Sequence, residues 1–327
     1  MERSTEPANS HARNDAQQES HVADDIPAAI KARAIKLSKN DTLEDAAATI
    51  FSASLEHFLA NVPLLETSSA QESVHQMRVA LRRLRAAIGL LRPILAGPAL
   101  ETAGDRAKTL ASVLGAARDW DVFRATLNAG PREAIGDDPS FHALIDTVES
   151  LREKAYRAAH EAVSSDETSQ FVDDLCLAIE RRDWEVETEM RAPDSAYAFA
   201  VGALARLHKR LLKKSKNLAT LSAEERHRVR IALKKARYGA EFFESLFKNG
   251  KAAGAYSRAL GELQDQLGVF NDMEVANDLL DRIDAENQAA ARASGFVRGW
   301  FAHAAREGVA HADKSEKRLK KLAPFWT

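Results

Sequence analysis

His-Gln-Met-Arg-Val-Ala-Leu-Arg-Arg-Leu-Arg at positions 75–85 returns as His-Arg-Val-Arg-Ile-Ala-Leu-Lys-Lys-Ala-Arg at 227–237, an offset of 152. The leading histidine, the basic residues and the apolar residues hold matching places in both stretches, and the apolar ones recur at α-helical spacing. A second motif repeats at nearly the same offset, 153: Leu114-Gly115 with Arg118-Asp119-Trp120-Asp121-Val122 matches Leu267-Gly268 with Asn271-Asp272-Met273-Glu274-Val275. Two motifs at one offset indicate an internal repeat of one structural plan.

On a helix each residue turns by roughly 100°, so His75, Arg78, Arg82 and Arg85 fall on one stripe. Met77, Leu81, Leu84, Ile88 and Leu91 lie on the opposite side and face a core. In the second copy His227, Arg230, Lys234 and Arg237 form the stripe, and Val229, Leu233, Ala236, Ala240 and Phe243 form the apolar side. Arg83 and Lys235 flank the two stripes, each about 15 Å long at a rise of about 1.5 Å per residue. Solvated helix faces usually alternate charge sign, because opposite neighbours attract and like ones repel. No acidic residue interrupts either ladder, and an unbranched polyanion would relieve the repulsion along its whole length. Arg206, Lys209, Arg210 and Lys213 add a third stripe just before the second copy, where the first copy has Ser54, His57, Phe58 and Asn61. The basic surface is therefore expected to lean toward the second half.

Working outward, helices are expected from Asp41, as N-cap with Glu44, to near Pro63; from the Thr67-Ser68-Ser69 cluster to about Arg92; from Pro98 to about Leu114; and over roughly 118–128, 138–163 and 167–190. After a break at Ala192-Pro193-Asp194 the plan restarts over about 195–217, 222–248, 251–268, 270–290 and 293–320. Only 15 glycines and 9 prolines punctuate 327 residues that are 45% hydrophobic, which is the usage of an all-α protein with few or no strands. Residues 1 to about 25 are polar and aperiodic, and residues 1–40 as a whole are read as a disordered tail or linker remnant.

Charge and cysteine usage bound the function. The 46 basic and 48 acidic residues leave a net charge of −2, so local segregation rather than overall balance selects a partner. Cys176 is the single cysteine, which excludes an internal disulfide and a thiolate zinc cluster. With no secretory apolar core and no run of 18 apolar residues, a cytoplasmic protein without membrane attachment is expected.

The histidines admit a structural reading, a metal-ligand reading and an anion-donor reading. A metal site needs three or four converging ligands, and nothing of that kind accompanies His75 or His227. A phosphate neighbour would favour the charged imidazole. Asp119 and Asp121 read as capping residues or partners of Arg118 or a ladder arginine rather than metal ligands, and Trp120 and Trp300 as core anchors. The Gly104–Thr109 run ends like a phosphate loop but lacks its upstream glycine, so it reads as ordinary helix. With no carboxylate cluster to hold a cation and no positioned nucleophile, neither catalysis nor a cofactor is expected. Nucleic acid is the main competing partner. Single-strand binders interleave aromatics with basic groups, and Tyr238 is the one aromatic near the charged side of the ladders.

These motifs resemble the CHAD family, the conserved histidine α-helical domain. The likeness rests on both His-led ladders, the Leu-Gly-x-x-Arg-Asp-x-Asp-Val run ending at Val122 and the closing Ala323-Pro324-Phe325-Trp326, and covers about 41–327. It implies two pseudo-symmetric four-helix bundles, about 41–190 and 194–327, with a basic channel between them that binds inorganic polyphosphate. The residues it implies are His75, Arg78, Arg82, Arg83, Arg85, His227, Arg230, Lys234, Lys235 and Arg237, with Lys209 and Lys213 as an extension. Polyphosphate granules are the location that it suggests. Residues 31–62 look like the junction left by a preceding CYTH domain, whose Glu-x-Glu-x-Lys motif is missing, so triphosphatase activity is not expected.

Overall fold

The computed structural model describes residues 28–67, 70–186 and 195–327. Residues 1–27 of the expected tail, the Ser68-Ser69 helix start and the Ala192-Pro193-Asp194 break lie outside them. Ten α-helices carry the described chain: α1 Leu43–Leu59, α2 Ala70–Leu91, α3 Pro98–Ala129, α4 Pro131–Ile135, α5 Pro139–Val163, α6 Asp166–Arg181, α7 Ala196–Lys214, α8 Ala223–Phe243, α9 Gly250–Glu286 and α10 Ala291–Lys321. The described strands are a two-residue antiparallel clasp, β1 Leu95–Ala96 against β2 Glu185–Val186.

Several helix ends differ from the sequence expectation. Thr42, not Asp41, caps α1, accepting from the Asp45 N–H, while the Asp41 carboxylate accepts from the Ser38 N–H at 2.8 Å. Gly115 and Gly268 do not break their helices, so α3 and α9 each run straight through the repeated motif. A helical glycine costs only about 1 kcal/mol relative to alanine, which the buried ladder of Leu110, Leu114, Ala117 and Trp120 outweighs. Helix α6 stops at Arg181, well short of 190. Arg182 takes a left-handed conformation at φ 55° and donates to the Glu44 carbonyl at 2.6 Å and to Asp45 at 2.8 Å. Residues 28–40 are an ordered brace rather than a tail. Ile35 and Leu37 are buried, Ile30 N–H donates to Asn61 just after α1 and Leu37 N–H donates to Ser245 just after α8, so the segment bridges the chain at the ends of these two helices.

The helices pack in two sets. Helix α2 lies between α1 and α3, with α6 closing that set, and α8 lies between α7 and α9, with α10 beyond; α2 meets α8 at the centre. The two interiors merge into one core that includes Phe51, Met77 and Leu114 from the first copy and Phe199, Leu233 and Leu263 from the second. A second core forms where the far ends of α3 and α9 meet α5 and α10, through Phe123, Leu144, Leu280 and Phe301. One core therefore holds residues from both 41–190 and 194–327. The far ends of α3 and α9 bring the two copies of the second motif face to face.

Candidate anion-binding cleft

Both repeated motifs converge on one cleft of about 400 Å³. Helix α2 contributes His75, Arg78 and Arg82, and α8 contributes Arg230 and Lys234 opposite them. Helices α3 and α9 form the remaining walls with Arg118 and Asp119, and with Asn271 and Asp272. Val122, Phe123, Thr126, Val275, Ala276 and Phe301 complete the lining with less polar surface. By the sequence offsets, Arg78 corresponds to Arg230, Arg82 to Lys234, Asp119 to Asp272 and Val122 to Val275, and all eight line the cleft.

Local packing explains the geometry. The apolar faces of α2 and α8 are buried through Met77, Leu81 and Leu84 and through Val229, Leu233 and Ala236, which turns the cationic stripes toward each other. Gly115 leaves room for Arg78, since a Cβ there would stand 3.3 Å from the guanidinium Nε. Arg78 Nη1 lies 3.6 Å from Asp119 Oδ1, and Arg230 donates to the Leu267 carbonyl at 3.4 Å.

The electrostatics are those of crowded cations. Burial, then the charges of Arg82, Arg230, Arg78 and Arg237, push the Lys234 ammonium down to about 7. Burial and the neighbouring Arg118 also lower His75. Burial lowers Arg78 and Arg230, with Asp119 and Asp272 respectively opposing that shift. Burial raises Asp119, and partial desolvation raises Asp272 although its side chain stays open to solvent on one side.

Other ladder residues stand elsewhere. His227 is exposed in a small neighbouring hollow with Arg226 and Glu274, which shares Arg230 and Asn271 with the main cleft. Arg237 is half-buried, donating to Gln264 at 3.2 Å, and is near enough to depress Lys234. Lys235, Lys209 and Lys213 are exposed and do not line the cleft, and Arg85 lines a different groove with Arg92 and Asp105. Arg83 corrects the sequence assignment. It is 2% exposed, ion-paired with Glu241 and placed over the Phe242 ring, because its position beside the stripe faces the α2–α8 contact instead of the cleft.

The sequence reading missed Arg118, Asn271 and Asp272 as cleft residues; of its two expectations for Asp119, the helix cap fails because α3 is continuous, and the pairing with a ladder arginine holds, with Arg78 as the partner. The available signal was the second repeated motif, whose conspicuous glycine suggested a helix start. Both aspartates of the first copy sit mid-helix. Asp119 faces the cleft, while Asp121 is buried and accepts from Arg152 Nε at 2.7 Å and the Tyr156 hydroxyl at 2.6 Å. Trp120 is a core anchor, as expected, but Trp300 is 39% exposed beside Phe296. Among the described residues, no three His, Cys, Asp or Glu side chains group to hold a metal ion, and no helix is long and apolar enough to cross a membrane.

A family model for the CHAD domain matches residues 49–281. Among solved structures, the chain is similar to the CHAD domain from the plant Ricinus communis at 31% identity, covering 90% of this chain and 98% of that one with a TM-score of 0.79. It is also similar in fold to PptA from Streptomyces chartreusis at 15% identity, covering 84% and 99% of the two chains with a TM-score of 0.63. No curated protein matches it by sequence.

Proposed function

The chain belongs to the CHAD domain family, and from that premise we propose that it binds inorganic polyphosphate, without catalysis, in the cleft between α2, α3, α8 and α9. The observation that carries this reading is the convergence of His75, Arg78, Arg82 and Arg118 with Arg230 and Lys234 on one cavity. Burial and neighbouring cations disfavour the charged forms of His75, Arg78, Arg230 and Lys234, an anion relieves that cost, and several adjacent phosphates satisfy several cations at once. Arg237, His227 and the exposed lysines Lys235, Lys209 and Lys213 lie outside the cleft, where they are placed to follow a longer chain. Arg85 is a candidate only for a chain that leaves by the other groove. Polyphosphate granules are the address that this reading favours.

Titration with long-chain polyphosphate, tripolyphosphate, single-stranded DNA and RNA at several salt concentrations tests the proposal. Long chains are expected to bind most tightly, because a chain held on one copy's cations presents its next phosphates to the other at high effective concentration. Equal affinity for tripolyphosphate and the long chain would refute the two-sided cleft, and tighter binding of a nucleic acid would replace the ligand.

Proton linkage gives a second expected result. Lys234 with its value near 7 is fully charged only in mildly acidic solution, and a bound phosphate must raise it. Polyphosphate affinity is therefore greatest below that value and falls as pH rises above about 7. The substitution Lys234→Arg keeps a charged group at every pH in that range and should flatten the profile. An unchanged slope in Lys234→Arg would show that another group carries the linkage.

A further inference from the structure

Each cationic wall of the cleft carries its own carboxylate. Asp119 stands 3.6 Å from Arg78 on one side, and Asp272, its counterpart in the repeat, acts electrostatically on Arg230 on the other. Resting on the polyphosphate reading, we infer that Asp119 and Asp272 set the affinity and selectivity of the cleft as tethered counter-ions, which occupy Arg78 and Arg230 until a run of several phosphates displaces them.

The contrast with Asp121, two residues along α3, separates this role from a structural one. Asp121 is 2% exposed and closed by two short hydrogen bonds, from Arg152 and Tyr156. The Asp119 contact with Arg78 is a looser ion pair, and both Asp119 and Asp272 line the open cleft. Neither carboxylate is comfortable there: burial raises both, and the charge of Asp272 raises Asp119 further. They are near enough to oppose each other and to oppose any anion entering between them.

Selectivity follows from charge and tethering. A singly charged anion brings no more charge than the carboxylate already beside the arginine, which competes at the high effective concentration of an attached group. A phosphate chain also engages Arg82, Arg118 and Lys234, so its gain exceeds what the two carboxylates withhold.

The test uses the full chain and labelled long-chain polyphosphate at constant ionic strength and mildly alkaline pH, where the carboxylates are ionised. Asp119→Asn and Asp272→Asn are each expected to tighten binding roughly fivefold, and the double variant roughly 20-fold, the size of one and two like charges removed from a half-exposed site. Chloride should also compete more effectively with polyphosphate in the double variant than in the parent. Damage to the fold does not raise affinity, so tightening cannot be mistaken for a structural loss. The control Asp146→Asn/Asp173→Asn removes two exposed carboxylates from α5 and α6, and should bind as the parent does. A parent that binds while the aspartate variants bind no more tightly overturns this inference alone, and so does an equal rise in the control. Loss of binding in the variants only when magnesium is present also overturns it, in favour of a cation held between the carboxylates. A parent that binds no polyphosphate removes the functional reading, and this inference with it.

Discussion

Alanine at both Arg78 and Arg230 is expected to lower affinity for long-chain polyphosphate by two orders of magnitude or more while leaving the fold intact. The two arginines hold matching positions on opposite walls, so the double variant takes one cation from each copy of the repeat. A hydrogen bond to a charged group contributes about 1.5–3 kcal/mol. Two such losses amount to roughly 3–6 kcal/mol, or a factor of about 10² to 10⁴ in the dissociation constant. The slope of log affinity against log salt should flatten by roughly 1 to 2 units, at about 0.7 per phosphate no longer neutralised, the single-strand nucleic-acid value applied to another linear polyanion. Because neither side chain belongs to a buried apolar face, circular dichroism and the unfolding midpoint should stay near the parent's. Lys209→Ala/Lys213→Ala is the matching pair outside the cleft, and it should cost far less. A folded Arg78→Ala/Arg230→Ala protein with unchanged affinity and salt slope would place the ligand elsewhere.

Where the sequence was sufficient and where it failed have a common physical origin. Periodicity reports which face of a helix is apolar, so the burial of Met77, Leu81 and Leu84 and the shared stripe of Arg78 and Arg82 were legible, and the repeat offset carried both to α8. Periodicity says less about what a stripe faces. Arg82 and Arg83 are neighbours in sequence, about 100° apart around the helix axis. That turn puts one in the cleft and the other, 2% exposed, in the contact with α8. Gly115 misled for a related reason. A glycine mid-helix looks like a terminator until its neighbour is known, and the neighbour here is the Arg78 side chain arriving from α2. Once α3 is continuous, Arg118 and Asp119 move from a helix start to a wall of the site. Residues 28–40 hold little more apolar pattern than Ile35-x-Leu37, and their order depends on Asn61 and Ser245, just beyond α1 and α8, which no local window contains.

Removing Glu241 should destabilise the protein more than removing the buried arginine it holds. Arg83 is enclosed between α2 and α8, its Nε has no hydrogen-bond partner among the described residues, and its charge is met by Glu241 and the face of Phe242. Breaking a buried pair from the exposed side strands the buried charge, at a cost of about 3–5 kcal/mol for a fully enclosed pair. The Glu241 side chain is 37% exposed, so water screens part of that interaction and a loss of roughly 2–3 kcal/mol is expected for Glu241→Ala. Arg83→Met behaves differently. Methionine keeps much of the volume and packs against Phe242 through its sulfur, no buried charge remains, and Glu241 can turn to solvent. Its expected cost is about 1 kcal/mol or less, since replacing buried ionic groups with apolar ones of similar size is often close to neutral. Urea unfolding of the two variants should give this order, and Arg83→Met should bind polyphosphate like the parent because Arg83 does not reach the cleft. If Arg83→Met is instead the less stable variant, or loses polyphosphate affinity while folded, then Arg83 acts on the ligand and the contact between α2 and α8 is open enough to let it do so.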